Sequence, residues 1–128
     1  AILAANPDVA IFGGLGGNFM LEELQRGVAG MMTGFGFPEI LVSIYRDFRA
    51  GREHQARDTF YRYLPLIRYE NQPGLNLPLR KLIYTMRGAM DHEAPRRPNP
   101  PLDQVTLTEL EALLAHLGLT VPGPVRIG

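Results

Sequence analysis

The run Gly27-Val28-Ala29-Gly30-Met31-Met32-Thr33-Gly34-Phe35-Gly36-Phe37-Pro38 limits what this chain can fold into more than any other stretch. Val28 to Thr33 is apolar or nearly so, with small residues at Ala29 and Gly30. A short run of that kind suits a strand covered on both faces, as in a parallel sheet. Gly34 and Gly36 then admit backbone angles that other residues resist. Pro38 suits the first turn of a helix, where its missing N–H costs nothing, and Glu39 after it is favoured by the helix dipole. The reading is strand, tight glycine loop, helix, and the other segments are placed relative to that unit.

A similar unit lies upstream. Asn6-Pro7-Asp8 is a turn signal, and the apolar run Val9-Ala10-Ile11-Phe12 after it reads as a strand. Gly13-Gly14-Leu15-Gly16-Gly17 follows, then Asn18 as a candidate N-cap. The short helix Asn18–Arg26 carries Phe19, Met20, Leu21 and Leu24 as its apolar positions, and Gly27 ends it. Strand, helix, strand in this order predicts two parallel neighbouring strands. Both strands read as buried, yet the chain supplies few elements to cover their far side. Two strands do not make a sheet that stands alone in water. That mismatch points to a larger α/β host with parallel strands. Ala1 to Ala5 reads as the last turn of a helix, so the expectation is a fragment.

After Pro38 the pattern turns helical. Ile40, Leu41, Ile44, Tyr45 and Phe48 share a face of a helix from Pro38 to Ala50, capped by Gly51. A longer helix spans about Arg52 to Glu70 with Ala56, Phe60, Leu64 and Ile67 as its stripe; Pro65 inside it is expected to kink or split it. Asn71 to Gly74 is a turn. Leu77 to Arg87 is a helix with Leu79, Leu82, Ile83 and Met86 inward. Ala94 to Pro101, with four prolines, is an extended connector. A last helix starts near Thr106, where Thr106 and Glu109 have capping-box spacing, and Leu107, Leu110, Leu114 and Leu117 form its stripe. Val121 to Gly128 reads as a loose tail.

Composition excludes several classes. The chain has 128 residues, one domain's worth, and its formal net charge is zero, which argues against a nucleic-acid partner. With no cysteine there is no disulfide framework, thiolate metal site or cysteine nucleophile, in keeping with a cytoplasmic protein. No apolar run approaches the roughly 18 residues of a membrane span, so no membrane partner is expected. No signal segment opens the chain.

The two glycine loops follow strands, which in parallel α/β proteins puts them together on the ligand-binding face. Plain strand-to-helix turns account for the same glycines. The dinucleotide fingerprint fails, because Phe19 stands where the third glycine would be, and no Lys-Ser or Lys-Thr completes a phosphate loop. A phosphate or carboxylate on the Asn18 helix N-terminus is the weaker alternative. His54, His92 and His116 are scattered, and Asp91-His92-Glu93 reads as a solvated turn rather than a metal cluster. Glu22 and Glu23 diverge by about 100° on a helix and read as a solvated face rather than an acid/base pair. Phe60, Tyr61, Tyr63 and Tyr69 read as core and interface. Lys81, the only lysine, lies mid-helix beside Arg80 and reads as structural. No catalytic residue, metal site or cofactor emerges.

Several stretches taken together resemble the end of a dihydrodipicolinate synthase family protein. They are Phe12-Gly13-Gly14-Leu15-Gly16-Gly17, Leu21-Glu22-Glu23-Leu24 with Arg26-Gly27, and Gly30-Met31-Met32-Thr33-Gly34-Phe35. Further along come Arg62-Tyr63-Leu64-Pro65-Leu66, Glu70 with Gln72-Pro73-Gly74, Arg80-Lys81 and Arg87-Gly88-Ala89. The resemblance runs from about Val9 to Leu119. That family, with N-acetylneuraminate lyase and keto-acid aldolases, has a (β/α)₈ barrel followed by C-terminal helices. It makes or breaks carbon–carbon bonds through a lysine Schiff base with pyruvate or a related 2-oxo acid. The resemblance implies that residues 1–50 hold the last two β/α units, with strands seven and eight at Val9–Phe12 and Val28–Thr33. Residues 51–128 are then the C-terminal helical segment. It implies a pocket wall at Gly13 or Gly14, Met32 and Thr33, and a homo-oligomer. It also implies that the Schiff-base lysine, the tyrosine relay and the carboxylate-binding pair all lie upstream, so the chain alone is expected to be an inactive piece of a lyase. A non-catalytic helical interaction module derived from the barrel is the alternative, and a phosphate-binding half-barrel ranks last.

Overall fold

The structure, a computed structural model, describes residues 2–96 and 101–121. Helix α1 (Ile2–Ala5) leads into strand β1 (Phe12–Gly13), a 3₁₀ turn (Leu15–Gly17), helix α2 (Met20–Gln25) and strand β2 (Gly30–Met31). Four longer helices follow: α3 (Pro38–Arg49), α4 (Glu53–Glu70), α5 (Asn76–Met86) and α6 (Gln104–His116). The chain is therefore mostly helical around one small parallel sheet. The proline-rich stretch over 97–100 and the tail over 122–128 lie outside the described residues.

The strands pair in parallel with Phe12 opposite Gly30 and Gly13 opposite Met31. Two more backbone bonds extend the ladder, from Ala29 N–H to Ile11 O at 2.7 Å and from Met32 N–H to Gly13 O at 2.8 Å. The strands are shorter than the expected Val9–Phe12 and Val28–Thr33. Nor are they buried on both faces. Ile11 and Met31 pack against the core, while Phe12 is 55% and Met32 75% exposed. Alternate strand residues point to opposite faces, and only one face meets helices here.

The first glycine loop turns sharply. Leu15, Gly16 and Gly17 all have positive φ, at 49°, 66° and 89°. This is costly for Leu15, since a β-carbon crowds the left-handed region. Asn18 then already has helical angles (φ −52°, ψ −31°). An N-cap needs extended angles to turn its side chain toward the helix amides, so Asn18 does not cap α2 as expected. Its Oδ1 is buried without a hydrogen-bond partner, and Phe19 stands at the cap position with no side-chain bond.

Helix α3 begins at Pro38 as expected and buries Ile40, Leu41 and Ile44. The Tyr45 hydroxyl donates to Ala29 O at 2.9 Å and ties α3 to β2. Helix α4 runs unbroken through Pro65, so it is not split. Proline removes the amide that would bond Tyr61 O, but Pro65 and Tyr61 both lie on the exposed face of the helix, where a freed carbonyl costs little. The buried positions of α4 are Ala56, Phe60, Tyr63, Leu66, Ile67 and Glu70, with Leu64 only half-buried. Helix α5 buries Pro78, Leu79 and Ile83, and half-buries Leu82 and Met86.

Helix α6 is capped by Asp103, whose Oδ1 accepts from Thr106 N–H at 2.7 Å. The expected capping box at Thr106 and Glu109 does not form, because the helix begins two residues before Thr106 and Glu109 is engaged elsewhere. The Tyr69 hydroxyl lies 2.8 Å from Glu109 Oε2 and 3.0 Å from Thr106 O, a bridge from α4 to α6. Leu110, Leu114 and Leu117 are buried against the core shared with α4, while Leu107 is half-buried.

Candidate functional site

The pairing of β1 with β2 brings the two glycine loops side by side. Gly13 O accepts the Met32 amide, and a β-carbon on Gly14 would sit 3.5 Å from Met32 O. Thr33 follows at the same end, its Oγ1 accepting from Phe35 N–H at 3.3 Å. The four residues Gly13, Gly14, Met32 and Thr33 thus adjoin one another at the carboxyl ends of the strands. They offer backbone polar groups, a thioether and one hydroxyl. None is a general base or an activated nucleophile. Of the four, Thr33 also lines an open groove of about 430 Å³, with Phe12 and Met31 on the strand side and Pro38, Leu41 and Tyr45 from α3.

The second loop is gripped from behind by a polar cluster. Glu70, at the end of α4, is 1% exposed. Its Oε2 accepts from Gly36 N–H at 2.7 Å and its Oε1 from Arg80 Nε at 2.8 Å. Burial pushes the Glu70 carboxyl above its ordinary pKa; Arg80 and the Gly36 amide pull the other way. From α5, the Tyr84 hydroxyl reaches Gly34 O at 2.9 Å, and Arg87 bonds Gly36 O and pairs with Glu39. The Arg87 guanidinium also lies 4.7 Å from the centre of the Phe37 ring.

These contacts revise the role of the loop glycines. Neither Gly34 nor Gly36 has positive φ, contrary to the expectation of unusual backbone angles. They are needed for close approach instead. A β-carbon on Gly34 would stand 2.8 Å from Arg80 Nη1, and one on Gly36 would stand 2.6 Å from Ile83 Cγ2 and 2.8 Å from Glu70 Oε2. The first loop is held by the neighbouring residue of the same helix end, with Asn71 Nδ2 donating to Leu15 O at 3.0 Å.

Glu22 and Glu23 are not the solvated face expected of them. Both are half-buried, each with a carboxylate oxygen buried and unpartnered, and that of Glu23 lies against Gly13. The reason is that α2 packs its polar edge under the strand ends rather than turning it to water. Lys81 stands on α5 and bonds Ala94 O. Among the described residues no group of three or more His, Asp or Glu could hold a metal ion, and Asp91-His92-Glu93 is exposed.

No protein-family profile matches the chain. The chain is 35% identical over 98 residues to L-2-keto-3-deoxyarabonate dehydratase of Azospirillum brasilense, across 77% of its own length and 31% of that protein's. The solved dihydrodipicolinate synthase of Rhodopseudomonas palustris superposes with a TM-score of 0.80 at 38% identity, over 84% of this chain and 36% of that one. Over most of its length the chain is therefore similar to part of a dihydrodipicolinate synthase. A Pseudomonas aeruginosa structure proposed as a dihydrodipicolinate synthetase superposes with a TM-score of 0.75 at 27% identity, over 90% of this chain and 39% of that one. The chain thus spans about a third of the length of the synthase-family proteins it matches.

The chain also holds one group that sequence reasoning passed over. Glu70 appeared only as part of a motif, and its periodic position among Phe60, Tyr63 and Ile67 gave the one available signal: a carboxylate falling on the buried stripe of α4. A buried carboxylate needs partners, and the structure supplies Arg80, ten residues on.

Proposed function

We propose that this chain supplies the last two β/α units of a (β/α)₈ barrel, residues 1–50, and the C-terminal helical segment, residues 51–128, of a lyase acting on pyruvate or another 2-oxo acid through a lysine Schiff base. The parallel pairing of β1 and β2, with both glycine loops beyond their carboxyl ends, carries the reading. In a barrel that end bears the active site. The similarity to a dehydratase named for a 2-keto acid and to a dihydrodipicolinate synthase supports the substrate class. In this reading Gly13, Gly14, Met32 and Thr33 wall the pocket, and the Schiff-base lysine lies in the remainder of the barrel outside the chain, since a whole barrel needs roughly 250 residues and this chain supplies only its last two units. The assembly is a cytoplasmic homo-oligomer with neither nucleic acid nor membrane as partner; among the described residues no helix is long and apolar enough to cross a membrane.

Alone, the chain is inactive. A Schiff-base lysine must be neutral often enough to attack a carbonyl and must face an oriented relay and a carboxylate clamp. Lys81 stands on α5 with its ammonium on Ala94 O. The test is incubation with millimolar pyruvate, borohydride reduction and intact mass. The expected result is an unmodified chain. A stoichiometric adduct on Lys81 overturns the assignment of the catalytic lysine to the rest of the barrel. The second reading, a non-catalytic helical module, draws on the helices that make up most of the chain, and it gains if the chain proves a clean monomer.

A further inference from the structure

We propose that Glu70 is a positioning residue: from the end of α4 it fixes the loop Gly34–Phe37 and through it the wall residues Met32 and Thr33. The functional sense of this rests on the pocket-wall reading above, whereas the geometry does not. Glu70 and Asn71 are consecutive, and they grip different glycine loops. Asn71 holds Leu15 O in the first, and Glu70 holds the Gly36 amide in the second. The end of one helix therefore sets the spacing of the two loops that flank the strand ends. No backbone ladder does this, because the last bond between the strands is Met32 N–H to Gly13 O. Beyond it the second loop is held by side chains.

Glu70 is suited to this in a way a neutral side chain is not. One oxygen serves Gly36 and the other serves Arg80, so the loop amide is bonded to a carboxylate whose second oxygen is anchored on α5. Charge-assisted hydrogen bonds of this kind are about twice as strong as neutral ones. The charged and titratable groups around the pair are Arg80, Tyr84 and Arg87 from α5 and Glu39 from α3; Arg87 is held by Glu39 and Gly36 O. Burial raises the Glu70 carboxyl above its ordinary range, against the pull of Arg80 and the Gly36 amide. Protonation turns Oε2 into a weaker acceptor and should loosen the Gly36 amide.

Hydrogen exchange read by mass spectrometry on the full chain tests this, with rates corrected for intrinsic exchange. In the wild type, protection of the peptide covering 32–37 is expected to fall as pH is lowered through the Glu70 titration. In Glu70→Gln it is expected to be about tenfold or more lower at neutral pH, the factor that loss of one charge-assisted bond implies, and flat with pH. Peptides from α6 should keep wild-type protection. In Arg80→Met the fall with pH should begin at higher pH. A flat wild-type profile, an equal loss of protection across α6 in Glu70→Gln, or an unmoved profile in Arg80→Met would each overturn the proposal. These outcomes are separable from the Schiff-base test: an adduct on Lys81 leaves the clamp standing, and a flat exchange profile leaves the barrel reading standing.

Discussion

Replacing Gly36 with alanine tests the close-approach account of the second loop directly. The new β-carbon would lie 2.6 Å from Ile83 Cγ2, 3.2 Å from Ile83 Cβ and 2.8 Å from Glu70 Oε2. Carbon pairs settle at about 3.5–4.0 Å, so something must move by most of an ångström. Ile83 is fully buried on α5 and has nowhere to go. Overpacking of this kind costs about 1–3 kcal/mol. Glu70 Oε2 is crowded at the same time, so its bond to the Gly36 amide is lost in addition, at roughly 1.5–3 kcal/mol. The stiffer unfolded chain returns about 0.4–1 kcal/mol. The net expectation is a loss of about 2–4 kcal/mol, taking the lower bond-loss figures with the overpacking range. Gly88→Ala is the control. Gly88 has φ of +71° but nothing within 4 Å of its would-be β-carbon, so only the left-handed backbone strain of about 1–2 kcal/mol applies. Urea unfolding followed by far-ultraviolet circular dichroism measures both. With a slope near 2 kcal/mol per molar, Gly36→Ala should lower the midpoint by about 1–2 M, and Gly88→Ala by less. If Gly88→Ala costs as much or more, the argument from packing is wrong and backbone conformation governs the loop after all.

Two further outcomes follow from the structure. Phe12, Met32, Val9, Leu15 and Phe19 are all exposed around the strand pair, so the isolated chain should associate with itself; light scattering that gives a dilution-stable monomer near the chain mass of 14.2 kDa would count against the barrel reading. The Tyr69 hydroxyl is raised from 10.0 to about 12, first by burial and then by its bond to Glu109. Its folded pKa exceeds its unfolded one, so its contribution to stability is complete below about 10 and is lost as pH rises toward 12. Tyr84 is raised as well, first by burial and then by Glu70, so spectrophotometric titration should find a late phase holding both tyrosines, and Glu109→Gln should bring the Tyr69 part of it earlier; an unmoved late phase in that variant would remove Glu109 as a cause.

Much of the helical half was legible because apolar periodicity is a strong signal. Pro38 opening α3 and the Leu110, Leu114 and Leu117 stripe of α6 fall where the pattern puts them. The parallel sense of β1 and β2 also followed from order alone. What periodicity cannot carry is which atoms touch. The Asn18 cap failed because three consecutive left-handed residues precede it, and Leu15 gives no sequence warning of that conformation. The capping box failed because Asp103, a better-placed acceptor, starts α6 earlier. Pro65 left α4 intact because its helix face is wet, a property of the fold rather than of the residue. The adjacency of Gly13, Gly14, Met32 and Thr33 was within reach through strand order. The grip of Glu70 on Gly36 spans 34 residues, and no local pattern encodes it.

A sheet of two strands has two free rims, one along β1 and one along β2. A partner that mates with a single rim leaves the other bare and can peel away bond by bond. A partner that closes a ring must mate with both, and separation then requires two seams to open together. For this chain, a ring-closing companion would therefore leave far more slowly than its contact area on either rim alone implies, while a lone strand captured from elsewhere would exchange quickly. Dissociation rate, more than affinity, is the quantity by which such a chain would tell its proper companion from a stray one.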